Sequence, residues 1–442
     1  MVPEVMTPAE ALMWAVERDP ILRSTFLTVT VLDAPPEMDR LRRRMADAIG
    51  GFPRMHQRVR SQSAPWDRPA WIDDASFDLD YHIRHLALPA PADDRALFDL
   101  AGLWLEDAFD PVRPLWQLTV VEGLAGGRAA LLVKMHHTIT DGVGGLRLSS
   151  SFLDLDREGK VPVRPPSDGA TRPAPAGPST AERLRQAAYS LRPSATVANA
   201  RRAIATVGSL GRQAAVSGQS GSSLWRGRRS MSRRLDRIDL DLDEIRRAAK
   251  ALGGTINDLF VAGVAGGAAE YHRRRGVEVE QLRASVPIST RVDRSFGGNA
   301  FVPARVVLAA GERDPEVRFR SVHEALAATR DEPALGLTES LAGVLLALPP
   351  ALLTPLARQQ VSTVDFAASN LRGSPVQLFV AGAAVEANYP MGPTAGVAFN
   401  ATVLSYMSRL DLGLDMDTAA IDDPDGLRRC LEAGLHELIA FG

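Results

Sequence analysis

Between Val161 and Arg234 the chain changes character: thirteen arginines stand against only Asp168 and Glu182, and prolines crowd the first part of the segment. A stretch this poor in large apolar side chains does not offset its own ordering entropy by building a core. It therefore divides the 442 residues into two units of about 200 each, the size that one hydrophobic core supports. The expected organisation is an N-terminal unit over 1–160, a basic Pro/Ala/Arg-rich connection over 161–234, and a C-terminal unit over 235–442. The connection opens as a linker, VPVRPPSDGATRPAPAGPS, and then reads as helical except at Pro193. Its arginines fit either a solvated bridge or a face for anionic headgroups or cofactor phosphates.

Both flanking units alternate between period-two and helical patterns, which indicates α/β architecture. In the first, strand-like STFLTVTVL is followed by helical MDRLRRRMADAIGG, strand-like HIRHLALP and helical DRALFDLAGLWLEDAF. LWQLTVVEGL and RAALLVKMHH then flank AGG as a hairpin, and a helix begins in DGVGGLRLSSSFLDLD. The second contains helical LDEIRRAAKAL and INDLFVAGVAGGAAEYHRRR, strand-like LRASVPIST and FVPARVVLAA, further strands between Val376 and Leu414, and a terminal helix. The similar order predicts two related layers facing each other across a cleft. Cys430 is the only cysteine and lies on the leucine face of the terminal helix, which makes it a packed thiol and excludes a disulfide framework. A formal net charge of −2 gives no global attraction to nucleic acid. Glu4 and Glu10 stand where a secretion signal would be basic, so a cytoplasmic protein is expected. Prolines 349, 350 and 355 break the apolar run Leu341–Ala357, which fits a membrane-surface or core helix pair better than a bilayer span.

The chemistry concentrates in KMHHTITDGVGG, Lys134–Gly145, where a buried strand gives way to a loop and a helix. Successive strand residues point to opposite faces, so only one of His136 and His137 faces a given reaction centre. A neutral imidazole with one nitrogen free to accept a proton is a general base, and His137 is the candidate. Asp141 and Gly142 form a tight turn, and Gly144 and Gly145 let a substrate or another backbone approach closely. No cysteine pair or carboxylate motif accompanies the histidines, so no metal site is expected. The absence of G-x-S-x-G argues for direct attack by a deprotonated hydroxyl over an acyl-serine route.

HHTITDG matches the HHxxxDG motif of acyltransferases with the chloramphenicol acetyltransferase-like fold. The chain most closely resembles the bacterial wax ester synthase/diacylglycerol acyltransferase family. The resemblance rests on RPLW at Arg113–Trp116, IND at Ile256–Asp258, VPISTR at Val286–Arg291, GGNAFVPARV at Gly297–Val306, SNLRGSP at Ser369–Pro375, and YPMGPTAGVAFNATVLSY at Tyr389–Tyr406. It implies two such α/β domains with mixed sheets flanked by helices and an active-site tunnel at their interface. It implies His137 as general base with His136 in support, Asp141 turned structurally toward an arginine for which Arg291 is the candidate, and Asn257 at the active site. Thr255 as N-cap and Asp258 in capping-box position would set Asn257 in the first helical turn, where an amide can donate to an oxyanion. Gly263 and Gly266 read as close helix packing, or under the resemblance as lining of an acyl tunnel. Leu259 and Phe260 depart from the smaller residues common in the family, a difference that bears on chain-length and acceptor preference.

The implied reaction moves a fatty acyl group from acyl-CoA, a substrate with no permanently bound cofactor beside it, to a long-chain alcohol or diacylglycerol. The implied setting is cytoplasmic, with peripheral attachment to the inner membrane face or lipid droplets. Two rival readings stay open: a related acyltransferase or condensation enzyme for another hydroxyl or amine acceptor, and an idle lipid-binding protein of the same fold.

Overall fold

The computed structural model describes residues 4–60, 68–140, 142–161, 163, 221–289, 301–330, 342, 345–346 and 350–442. Most of the arginine-rich connection and most of the apolar stretch before Pro350 lie outside the described residues, as do Asp141 and Arg291.

The first half runs α1 (Pro8–Val16), β1 (Thr25–Leu32), α2 (Met38–Gly51), β2 (Ile83–Ala87), α3 (Asp94–Glu106), β3 (Trp116–Leu124), β4 (Arg128–His136) and α4 (Gly142–Ser150). The second runs β5 (Arg233–Asp241), α5 (Leu242–Ala251), α6 (Ile256–Arg273), β6 (Leu282–Ser289), β7 (Phe301–Leu308), α7 (Pro315–Arg330), α8 (Pro350–Val361), β8 (Phe366–Arg372), β9 (Phe379–Val380), β10 (Ala383–Met391), β11 (Phe399–Tyr406), β12 (Arg409–Asp417) and α9 (Pro424–Ile439). A small sheet of Glu4–Val5, Gln57–Arg60 and Ala70–Asp73 stands apart. The two main sheets have six strands each, in the orders β9-β10-β1-β4-β3-β2 and β7-β6-β8-β11-β12-β5. Both are mixed: β2 is parallel to β3, and β8 is parallel to β6 and β11, among otherwise antiparallel pairs. This is the two-sheet α/β architecture expected.

The β3–β4 hairpin turns through Gly126 and Gly127 at φ +80° and +76°, a left-handed conformation that side chains with a Cβ resist. Period-two patterning gives β1 and β4 two dry faces. Leu27, Val29, Leu132 and Ala130 pack with α3, while Leu131, Val133 and Met135 face Leu148 and Phe152 on the other side. In the second half α6 is buried along nearly its whole length, packed on α9 through Leu427, Leu431 and Leu435.

The sheets do not follow the linear order of the chain. β9 and β10 lie beyond residue 235, yet they extend the first sheet, with Tyr389 opposite Val29 and Asn388 opposite Thr30. Strand-like patterning identifies such a segment but carries no information about which sheet it joins. Where β10 leaves the first sheet it meets β12: the Asn388 N–H donates to Asp411 at 2.8 Å, and a Cβ on Gly413 would stand 2.1 Å from the Pro390 carbonyl oxygen. Only glycine permits that approach. β5, RRLDRIDLD, is also an addition to the sequence reading, since its alternating charges conceal an edge strand whose Leu235, Ile238 and Leu240 are buried.

Candidate active site

β4 delivers the histidine pair to the end of the first sheet, and the two rings part as the strand period requires. His136 is fully buried, edge-on to Trp14 of α1 with ring centroids 5.9 Å apart. Its Nδ1 accepts the Thr138 N–H at 3.1 Å and lies 2.7 Å from the Thr138 hydroxyl; its Nε2 lies 2.8 Å from Glu17 Oε2. A backbone N–H can only donate, so Nδ1 presents its lone pair and the proton of the neutral ring sits on Nε2. His136 is thereby committed to local structure.

His137, one residue beyond the strand, is half-buried, and its ring tilts at 50° against Phe26 with centroids 4.8 Å apart. Phe26 also underlies α4: its ring is 3.7 Å from where a Cβ on Gly145 would stand. His137 and the glycine-rich first turns of α4 are thus brought together through Phe26. Gly142 is the first residue of that helix, and Gly144 follows within its first turn.

The backbone around the pair is held at nearly every polar group. The His136 N–H donates to Leu115 O at 3.0 Å, the His137 N–H to Ser24 O at 2.9 Å, and the Ile139 N–H to His136 O at 3.0 Å. Arg54 donates to the Thr138 carbonyl at 2.9 Å and also pairs with Glu10, whose carboxylate accepts the Thr7 N–H in the capping box that starts α1. Burial opposes the charge on Arg54, but the Glu10 and Glu4 carboxylates outweigh it and raise the guanidinium above its ordinary range. Two residues upstream, Lys134 is buried on the strand, donates to Asp107 O at 2.7 Å and lies over Phe109. Burial pushes its ammonium down to about 8, with only part of that loss returned by Asp107. Trp116, at the end of RPLW, is a buried anchor: it donates to Met55 O at 2.7 Å and stacks on His82.

Asn257 lies in the other half, at the second position of α6. The capping box read from the sequence is formed: Asp258 N–H donates to Thr255 Oγ1 at 3.2 Å, and Asp258 Oδ2 accepts the Thr255 N–H at 2.9 Å. His323 Nδ1 lies 2.8 Å from the same carboxylate oxygen. Asn257 itself is half-buried, and among the described residues it shares no hydrogen bond with His137.

Protein atoms crowd the space next to Gly263 and Gly266. A Cβ on Gly263 would stand 2.7 Å from Leu435 Cδ2 and 3.0 Å from Leu435 Cα, and one on Gly266 would stand 2.6 Å from Arg318 Cζ. The space beside each glycine is filled by protein, as the close-packing reading expects. Asp141 and Arg291 lie outside the described residues. Among the described residues no group of three or more His, Cys, Asp or Glu side chains is gathered as a metal site, and no helix is long and apolar enough to cross a membrane.

A crevice does open at the seam between the halves, lined by Arg23, Thr25, Glu106, Arg233, Thr394 and Asp415 among others. It borders Thr25, the register partner of His136, and His137 does not line it. Burial pushes the Asp415 carboxyl up to about 6, although Arg233 Nη1 stands 3.8 Å away. The sequence offered no signal for Glu17, Arg54, Lys134 or Asp415, because each acts across a distance in the chain that local pattern does not encode.

Residues 6–260 match the wax ester synthase/diacylglycerol acyltransferase catalytic domain, and residues 297–439 match the WS/DGAT C-terminal domain. A Mycobacterium tuberculosis protein bearing a diacylglycerol O-acyltransferase name is 33% identical over 98% of this chain and 91% of its own length. The solved wax ester synthase/diacylglycerol acyltransferase from Marinobacter aquaeolei VT8 superposes with a TM-score of 0.67 at 22% identity, covering 98% of both chains. The first condensation domain of the calcium-dependent antibiotic synthetase shares the fold at a TM-score of 0.63 and 18% identity, covering 99% of this chain and 96% of its own. With the catalytic-domain match extending over more than half of its length, this protein belongs to the wax ester synthase/diacylglycerol acyltransferase family and is an acyltransferase.

Proposed function

We propose that this acyltransferase moves a fatty acyl group from acyl-CoA to the hydroxyl of a long-chain alcohol or diacylglycerol, with His137 as general base. The observation that carries the reading is the division of labour within the pair: His136 is sealed and committed through Nδ1 to Thr138, whereas His137 is half-buried at the strand end beside the opening of α4. The His137 ring takes the proton from the acceptor hydroxyl as its oxygen attacks the thioester carbonyl. The resulting tetrahedral oxyanion collapses, the carbon–sulfur bond breaks, and the departing thiolate of CoA receives the proton held by the imidazolium. Ester and free CoA are the products.

Asn257, at the positive end of α6, is proposed as donor to the oxyanion. His136 supports the base, and Gly144 and Gly145 leave room for substrate. Asp141, Gly142 and Arg291 are proposed as the structural turn and its ion pair. The chain organisation proposed remains two acyltransferase units, 1–160 and 235–442, joined by 161–234, with β9 and β10 returned to the first sheet. A diacylglycerol or wax alcohol partitions out of water, so the protein meets its acceptor from the cytoplasmic side at a membrane face or lipid-droplet surface. The names of the curated relatives support the diacylglycerol acceptor. A solved starter condensation domain of the same fold, in complex with C8-CoA, supports the acyl-CoA donor.

The test is CoA release and product mass spectrometry with a mixed pool of alcohols, diacylglycerols and amines. Wild-type protein is expected to form wax ester or triacylglycerol, and His137→Ala to lose ester formation while keeping its circular dichroism spectrum. Amide products alone would refute the acceptor class, and normal turnover by folded His137→Ala would refute the base.

A further inference from the structure

We infer that Glu17 is a positioning residue for this reaction: one carboxylate oxygen governs both peptide planes that flank the Cα of His137. The inference rests on His137 as the base. Glu17 is the residue that closes α1, and its side chain is 16% exposed. Its Oε2 accepts the Ser24 N–H at 3.1 Å, and Ser24 in turn accepts the His137 N–H on its carbonyl at 2.9 Å. The same Oε2 lies 2.8 Å from His136 Nε2, and the other nitrogen of that ring accepts the Thr138 N–H at 3.1 Å. The N–H before the His137 Cα and the N–H after it are therefore both traced, through one intermediary each, to a single oxygen.

These two N–H groups fix the rotations about the bonds on either side of the His137 Cα, and so the direction of its side chain. The carboxylate also stands 2.8 Å from the Nε2 of His136 as a charge contact, against the ring whose Nδ1 holds Thr138. Without Glu17, Ser24 loses a buried acceptor and His136 loses the oxygen that stands against its Nε2. Both supports of the base loosen together. A proton acceptor displaced by about 1 Å loses on the order of 100-fold in rate, while substrate affinity, set elsewhere, is little changed.

The test compares Glu17→Asp, Glu17→Ala and Glu17→Gln with His137→Ala in the purified CoA-release assay, alongside thermal melts. Aspartate withdraws the carboxylate by about 1.5 Å, one carbon–carbon bond, and breaks both contacts without adding bulk. Glutamine keeps an acceptor oxygen at full reach. The expected result is a fall in kcat of about 10- to 100-fold for Glu17→Asp and Glu17→Ala with KM within about twofold of wild type. Glu17→Gln should recover most of that loss. If Glu17→Ala does not fold, Glu17→Asp carries the comparison. A folded Glu17→Asp with kcat within about twofold of wild type, beside an inactive His137→Ala, overturns the role of Glu17 and leaves the base intact. Turnover by His137→Ala removes the base and this inference with it.

Discussion

Replacing Gly267 by alanine is expected to destabilise the second half by up to about 2 kcal/mol net, although alanine is the better helix former. The magnitude follows from the contact between α6 and α9. A Cβ at this position would stand 2.4 Å from the Cys430 carbonyl oxygen and 2.5 Å from Leu431 Cα, both backbone atoms that no rotamer change can move. Carbon atoms prefer about 3.5–4.0 Å, so α9 must withdraw by roughly 1 Å. It cannot tilt away freely, since Gly434 faces the same seam with its Cβ position 2.6 Å from Gly263 O, and Leu427, Leu431 and Leu435 are fully buried. Overpacking of this kind costs about 1–3 kcal/mol or more when backbone is the obstacle, against about 1 kcal/mol gained in helix propensity. Gly263→Ala should show a smaller loss in the same direction, because part of its obstruction is the movable Leu435 side chain. The assay is urea denaturation of both variants at constant slope, with acyl chain-length preference measured on the folded protein. Unchanged or raised midpoints, accompanied by a shift toward shorter acyl chains, would refute the packing argument and restore a tunnel wall at these glycines.

Two further expectations concern buried charge. Asp415 has its carboxyl raised to about 6 from 3.8, so the folded state holds this proton more tightly than the unfolded state; the associated stability is present below pH 3.8 and lost as pH rises through 6. Asp415→Asn should therefore raise stability at pH 7.5 by up to about 3 kcal/mol and flatten this part of the profile, and a lower melting temperature at that pH would contradict it. Lys134 is lowered to about 8 from 10.5, so the unfolded state binds the extra proton and stability should climb as pH rises from 8 toward 10.5. Lys134→Met should lack that climb between pH 8 and 9.5 when melted beside wild type; parallel curves would show that the ammonium is not desolvated.

What the sequence made legible is what one short segment determines by itself. The leucine spacing placed Leu427, Leu431, Leu435 and Leu438 with Cys430 on the buried face of α9. The alternation of strand side chains separated the roles of His136 and His137, and the Thr255–Asp258 spacing gave the cap of α6. What stayed hidden depends on partners far apart in the chain. Arg54 reaches Thr138 and Glu10, Glu17 reaches Ser24 and His136, and β10 crosses to pair with β1. The glycines of α6 carry two readings because a missing side chain leaves room for helix or ligand alike, and the close approach of α9 favours the first.

The return of β10 to the first sheet also governs the order in which the molecule can be completed. Until residue 391 has left the ribosome, β1 has no neighbour on one side, and Ala387, Tyr389 and Met391 are missing from the apolar layer shared with α3. A nascent chain carrying everything up to α6 still exposes a bare hydrogen-bonding edge, the kind of surface that recruits chaperones or pairs with another nascent chain. Both histidines are thus synthesised early but gain their finished scaffold only once residue 391 has been made, which ties the onset of acyl transfer to synthesis of both halves.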